Sequence, residues 1–256
     1  MGCRCLIMQK YEKVSEWGSI YRDGNIALKL FSATAHKRAA ETARMQAFAR
    51  TAGLPVPAVY GLRRISLTKI ALEMAYIDSK PFIAEGMAEA ETELAVQLMA
   101  RLHGKLAFVE AGGLPGFSEH IAREIGKSQH IAGPVKEKLL ALLRDMNTGK
   151  AKLCHGDMHP GNILFDGEQH WIIDWSPSCV SSGDPAADAC NTYLYQLRFM
   201  PRYAETYLRS YCEATGIPSE GVLAWLPIIA AYQVNIKDDE ERAYILKIID
   251  GWWAGL

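Results

Sequence analysis

Residues 154–175 read CHGDMHPGNILFDGEQHWIIDW, and two chemistries compete within them. His155, Asp157 and His159 alternate as H-x-D-x-H, a set that can grip a metal for hydrolysis. Asp157, Asn162 and Asp174 are equally the oxygen groups that a phosphoryl transfer needs. The β-forming runs NILF and HWII flank Asp166-Gly167-Glu168-Gln169, a Gly-containing turn that predicts a small hairpin over 162–174. A hairpin returns its exit beside its entry. Asn162 and Asp174 are therefore expected at its open end, with Asp157 on the entry loop.

Outward from this hairpin, the larger C-terminal part reads as helices. EAETELAVQLMARLHG places Leu94, Leu98 and Leu102 at i, i+4, i+8 and stops at Gly104, while PVKEKLLALLRDMNTG begins with Pro134 and ends at Gly149. DPAADACNTYLYQLRFM, PRYAETYLRSYCEATG and DEERAYILKIIDGWW continue the trend. The N-terminal part reads as strands around one helix. SIYRDGNIALKLF sets Asp23-Gly24 between two β-rich runs, a hairpin signal, and its second strand carries Lys29 among apolar neighbours. Residues 35–52 are rich in helix formers, with Ala40, Ala43, Ala47 and Phe48 at helical spacing and Gly53 as the stop; AVYGLRRISLTKIALEMAYI predicts two further strands turning near Arg64 to Ser66. The expected organisation is α+β in two lobes, an antiparallel sheet with one helix over 1–75 and a mainly helical lobe over 76–256.

Composition narrows the function. A chain of 256 residues, 49% hydrophobic and 22% charged with formal net charge −1, is ordinary globular material and disfavours a nucleic-acid-coating role. Charge is uneven: residues 1–80 hold 13 basic and 6 acidic side chains, net +7, so 28 basic and 29 acidic in all leave 15 and 23, net −8, for the rest. The acidic remainder, with the run KDDEE over 237–241, suits a cationic small molecule, although most such carboxylates are expected on solvated helix faces. The six cysteines include no C-x-x-C, MGCRCLIM lacks a secretory apolar region, and no apolar run reaches membrane-spanning length. A cytoplasmic protein with free thiols and no membrane or nucleic-acid partner is expected.

Further histidines stand singly at 36, 103, 120, 130 and 170, so the hydrolytic reading lacks a second ligand cluster. Phosphoryl transfer has a candidate for each of its parts. Asp157 and Asn162 stand five residues apart, as in the kinase loop H-R-D-L-x-x-x-N, and Asp174 follows twelve residues later across the hairpin, where kinases keep a metal-binding Asp. HGDMHPGN followed by IIDW resembles the aminoglycoside phosphotransferase and choline kinase superfamily, small-molecule kinases with a protein-kinase-like bilobal fold, whose H-G-D-x-x-x-x-N motif is present in full. IALKLF, GLPVPAVYG and MAYIDSKPF extend the resemblance over most of the chain.

The resemblance implies a transfer from ATP or GTP to a hydroxyl of a small acceptor. Asp157 would orient the hydroxyl and take its proton; Asn162 and Asp174 would hold Mg²⁺; Lys29 would contact the phosphates, positioned by Glu41, the one acidic residue of the 35–52 helix. Ser15, Gly18 and Ser19 in SEWGSIY would line the phosphates, in a turn poorer in glycine than the G-x-G-x-x-G of protein kinases. His155 would brace the loop beside His159. Asp184 and Asp188 read as loop-anchoring and helix-capping, His103 as a helix-end residue, and the tryptophans as packing. Aminoglycosides lead the expected acceptors, followed by choline or ethanolamine, homoserine and sugars. A nucleotide-binding sensor without turnover is a further reading, then a metal hydrolase using His155, Asp157 and His159. WSPSCVSSGDP after Asp174 lacks the D-F-G and A-P-E frame of a protein kinase.

Overall fold

The computed structural model describes residues 11–14, 19–146, 149–176, 181–235 and 238–255. They form two compact units, one within Met1–Ala84 and Gly161–Ser178, the other within Glu85–Pro160 and Cys179–Leu256. The first unit thus runs past the expected boundary at residue 75 and takes back the hairpin of the opening stretch.

In the first unit an antiparallel sheet has the order β1-β2-β3-β5-β4, from β1 (Glu12–Lys13), β2 (Ile20–Asp23), β3 (Ile26–Ser32), β4 (Val59–Arg64) and β5 (Lys69–Ala75). Asp23 pairs with Ile26, so the hairpin loop is Gly24-Asn25, one residue later than the expected Asp23-Gly24, and Gly24 takes the positive φ of +59° that the tight turn requires. Helix α1 (His36–Thr51) stops where Gly53 adopts φ +85°, the left-handed conformation of a helix C-terminus. Its buried face is Ala39, Thr42, Met45, Gln46 and Ala49, while Ala47 is exposed, so the expected stripe at 40, 43, 47 and 48 is displaced. Small alanines stand on every side of this helix, and the face is chosen instead by Gln46, whose buried Nε2 donates to the Pro57 carbonyl at 2.9 Å.

A second small sheet explains the boundary. β6 (Lys80–Pro81) pairs with β8 (Ile163–Phe165), which pairs with β9 (His170–Ile172) in the register Ile163↔Ile172 and Phe165↔His170. Asp166 closes the turn, accepting from the N–H groups of Glu168 (2.9 Å) and Gln169 (2.8 Å) and from the Trp171 indole (2.7 Å), which pull its carboxyl down to about 2. Trp175 is fully buried with its indole N–H on the Ile172 carbonyl at 3.0 Å.

The second unit contains α2 (Glu89–Gly104), α3 (Phe117–Lys127), α4 (Gly133–Met146), α5 (Pro185–Phe199), α6 (Ala204–Thr215), α7 (Ser219–Leu223), α8 (Leu226–Gln233) and α9 (Asp239–Ala254). The core face of α2 includes Thr92, Val96, Met99, Ala100, Leu102 and His103; of the expected leucine stripe Leu102 is buried and Leu98 half-buried, whereas Leu94 is 61% exposed. A strand pair the sequence did not announce, β7 (Lys152–Cys154) with antiparallel β10 (Ser181–Gly183), lies on either side of the hairpin excursion. Gly183 has no side chain because a Cβ there would stand 2.7 Å from that of Phe117. Among the described residues no single helix is long and apolar enough to cross a membrane.

Candidate active site

The second unit carries the H-G-D segment. Gly156 has φ +73°, which turns the chain sharply between β7 and Asp157 at little steric cost only because the residue is glycine. The turn is held from α5. Asp188, 1% exposed, accepts from the backbone N–H groups of His155 (Oδ2, 2.7 Å) and Gly156 (Oδ1, 2.8 Å) and from His103 Nε2 (2.9 Å). Asn191 Nδ2 donates to the Gly156 carbonyl at 2.8 Å, and the Thr192 hydroxyl to the Met158 carbonyl at 3.0 Å. Burial by itself would raise the Asp188 carboxyl; the His103 imidazole, His155 and the Gly156 N–H outweigh it and hold the group below its ordinary value.

The loop-anchoring and helix-capping roles expected of Asp184 and Asp188 are both filled, Asp188 being the anchor and Asp184 the cap of α5, accepting from Ala186 N at 2.9 Å. His103 is more than a helix-end residue. It is buried between Asp188 and the Tyr207 hydroxyl, 2.7 Å from its Nδ1, and so ties α2 and α6 to the loop anchor. Sequence reading gave His103 only a helix-end role and passed over Asn191, Thr192 and Tyr207. The available signal was polar side chains at 188, 191 and 192 in the largely apolar first half of the helix. The anchoring extends outward: Asn191 accepts from Gln233 at 2.6 Å, and Gln233 from Arg198 at 2.8 Å, with Glu241 paired to Arg198.

Beyond this anchor, Asp157 is half exposed and His155 fully buried. His159 Nε2 lies 3.8 Å from the Asp157 carboxylate, and its ring stacks on Tyr195 at 5.0 Å and 17°. Among the described residues no group of three His, Cys, Asp or Glu side chains is placed to hold a metal ion, so His155, Asp157 and His159 do not form the ligand cluster of the hydrolase reading. Cys154 is no nucleophile: burial, then the Asp188 and Asp184 charges, push its thiol well up.

The first unit carries Lys29, Asn162 and Asp174. Asn162 ends a 3₁₀ turn, Pro160–Asn162, and its carbonyl accepts from Ile173 N at 3.0 Å, so its side chain and that of Asp174 belong to the open end of the β8–β9 hairpin. Asp174 has φ 62°, the one positive φ outside glycine among the described residues. Asp tolerates that region better than most residues, and such strain concentrates at functional positions. The Lys29 ammonium pairs with the Asp174 carboxylate, which links the mid-strand lysine of β3 to the hairpin end. The expected Lys29–Glu41 pair does not form: Glu41 is half-buried and has no ion pair among the described residues, because the Gln46 anchor turns Thr42 toward the sheet and leaves Glu41 about 100° away on the helix flank. Ser19 is exposed just before β2, its carbonyl accepting from Leu30 N at 2.8 Å; Ser15 and Gly18 lie outside the described residues.

The first unit thus offers a lysine paired with a carboxylate at a hairpin end, and the second an anchored H-G-D turn, side-chain types that phosphotransferases as a class employ. The chain is matched over residues 19–226 by the model of the phosphotransferase enzyme family, APH, and belongs to that family. No curated protein sequence matches it. Its fold is that of aminoglycoside phosphotransferase APH(4)-Ia (TM-score 0.66, 17% identity, 94% of this chain and 92% of that one). Similar too are an aminoglycoside-3'-phosphotransferase of type VIII (TM-score 0.59, 21% identity, 86% and 91%) and a choline/ethanolamine kinase family protein from Mesorhizobium loti (TM-score 0.61, 16% identity, 92% and 83%).

Proposed function

We propose that the protein is a small-molecule kinase that moves the γ-phosphate of ATP, or GTP, to a hydroxyl of a small acceptor. The observation that carries this reading is the Lys29–Asp174 pair, with Asp174 held at φ 62° at the hairpin end beside Asn162. Lys29 and Asp174 pair although they stand 145 residues apart, which supports reading the first as the cation for the phosphates and the second as a carboxylate for the metal. The carboxylate of Asp174 and the amide oxygen of Asn162 are hard donors suited to Mg²⁺, which prefers oxygen and keeps several waters. When bound, Mg²⁺ would neutralise phosphate charge as the γ-phosphoryl group leaves.

The chain's own residues supply the rest. Lys29 holds the nucleotide phosphates; Asp157 orients the acceptor hydroxyl and takes its proton as the new P–O bond forms and the bond to the leaving diphosphate breaks. The pinned H-G-D turn keeps that carboxylate from drifting, and positioning accounts for much of the rate because a loose phosphoryl transition state asks little covalent chemistry of the protein.

APH(4)-Ia has been solved in a ternary complex with AMP-PNP and hygromycin B, which makes aminoglycosides the first acceptors to screen, before choline, ethanolamine, homoserine and sugars. The reading is tested by thermal-shift titration with ATP and GTP, with and without Mg²⁺. Nucleotide at a hundred times its Kd should add about 2.7 kcal/mol of stability. Stabilisation should require Mg²⁺ and vanish in Asp174→Ala; no effect of either nucleotide on the wild type rejects the reading.

A further inference from the structure

Residues 24–40 and 51–72, which build one end of the first unit's sheet, contain neither Asp nor Glu. Of their basic side chains, Lys29 is engaged with Asp174, and Arg63 with Glu73 and Asp23. Four further cations are exposed: Lys37 and Arg38 at the start of α1, Arg64 and Lys69 flanking the β4–β5 turn. The ladder pair Ser32↔Lys69 and the bond from Ala33 N to the Thr68 carbonyl, 2.9 Å, set the start of α1 beside that turn. Lys37, Arg64 and Lys69 have no ion pair among the described residues. The one carboxylate close by in sequence is Glu41, half-buried a turn further along α1, so four cations face one carboxylate, net +3. Asp166 is held in its own turn, and Glu12, Asp78 and Glu168 belong to β1, the segment before β6 and the β8–β9 turn.

Helix stability does not account for this charge. His36, Lys37 and Arg38 fill the first turn of α1, where the helix dipole favours carboxylates, and no acidic residue stands there. The neighbouring turn is braced by its own cation: Arg64 donates from Nε to the Ser66 carbonyl (3.2 Å) and from Nη2 to the Leu67 carbonyl (3.3 Å). The Ile65 and Ser66 N–H groups both reach the Lys69 carbonyl, at 3.0 and 3.1 Å. Leu67 stands out from this turn 86% exposed, the most exposed large hydrophobic among the described residues. A single exposed leucine is ordinary on a protein surface; its place at the tip of a braced turn, ringed by cations, is what selects a partner. Nucleic acid and an acidic protein face offer anions without an apolar layer. An anionic bilayer offers headgroup phosphates over acyl chains, and the tip matches both.

We propose that this end of the first unit docks on an anionic lipid surface, with Leu67 entering the acyl boundary and Lys37, Arg38, Arg64 and Lys69 lying at the headgroups. The expected absence of a membrane partner rested on the lack of a spanning run, which a surface contact does not need. The lipid potential falls off within a Debye length, about 8 Å at physiological ionic strength, so charge at the docked end decides rather than the chain's total of −1.

Co-sedimentation with vesicles of phosphatidylcholine and about one third phosphatidylserine, against pure phosphatidylcholine, tests the docking without nucleotide and so apart from the kinase reading. The wild type should bind the anionic vesicles alone and release them at about 0.5 M NaCl. A cation at the headgroups is worth about fivefold, so the double variant Lys37→Gln, Lys69→Gln should bind about 25-fold more weakly. Leu67→Ser should lose about tenfold. Thermal midpoints within about 2 °C of the wild type establish that both variants are folded. No binding to anionic vesicles at low salt, equal binding to pure phosphatidylcholine, or full binding by either variant overturns the docking. So does tighter binding to duplex DNA than to the vesicles, or salt-sensitive self-association in sedimentation velocity without vesicle binding.

Discussion

Asp188→Asn replaces one buried carboxylate oxygen by an NH₂ group at a position that accepts from His103, His155 and Gly156 while 1% exposed. If the amide oxygen keeps the Oδ2 place, serving His155 N and His103, the new NH₂ faces the Gly156 N–H and leaves that donor buried without an acceptor. Such a group costs about 1–3 kcal/mol, and loss of the charge on the two surviving bonds costs roughly 1 kcal/mol each. A total of about 3–5 kcal/mol corresponds to a thermal midpoint lower by roughly 6–20 °C for a chain of this size. Because the Asp188 carboxyl is held below its ordinary value of 3.8, its contribution is present above the unfolded value and fades as pH falls through the folded one. The gap between wild type and Asp188→Asn should therefore be constant above about pH 4 and narrow below it. Denaturation across pH 3 to 8, with turnover measured at neutral pH, checks both. A midpoint within about 2 °C of wild type, or a gap that widens on acidification, would refute the anchoring argument.

Three other substitutions test neighbouring claims. Lys29→Met should leave the fold intact, since a pair whose side chains are 24% and 42% exposed contributes about 1 kcal/mol at most, yet weaken nucleotide binding about ten- to hundredfold by titration calorimetry. Asp174→Gly should match or exceed the wild-type midpoint, because it relieves a left-handed conformation costing up to about 1 kcal/mol, while Mg²⁺-dependent nucleotide stabilisation disappears. Gly183→Ala should lower stability by about 1–3 kcal/mol in chemical denaturation, as its methyl meets the Phe117 Cβ at 2.7 Å and the Cys154 sulfur at 3.4 Å.

Where chemistry and turn signals coincide, the sequence was legible. The Asp166–Gln169 turn has few alternatives to a hairpin, and the left-handed Gly53 and the paired β2–β3 runs were equally plain. Faces were harder. On α2 the leucines at 94, 98 and 102 drew the reading to one stripe, of which Leu102 is buried and Leu94 exposed, while the buried face also includes Thr92 and His103, polar residues whose hydrogen bonds are made by α2 itself and by partners far along the chain. Hydrophobicity cannot register a histidine that is satisfied by residues 85 and 104 positions away. The β7–β10 pair escaped notice because strands of three residues joined across a whole hairpin carry no local periodicity. Lys29 was singled out correctly as a mid-strand oddity, but its partner depended on how α1 rotates, which a single buried glutamine decides.

The most direct test is ³¹P NMR of Mg²⁺·ATP incubated with the wild type and with Asp157→Asn, following γ-phosphate loss to the acceptor panel or to water. Asp157 is half exposed on a loop pinned by backbone and neighbouring side chains, so the variant should fold and still show the nucleotide thermal shift. Turnover should fall by about 10²–10⁴-fold, the contribution of a positioned general base. Turnover by Asp157→Asn within a few-fold of the wild type would contradict the account.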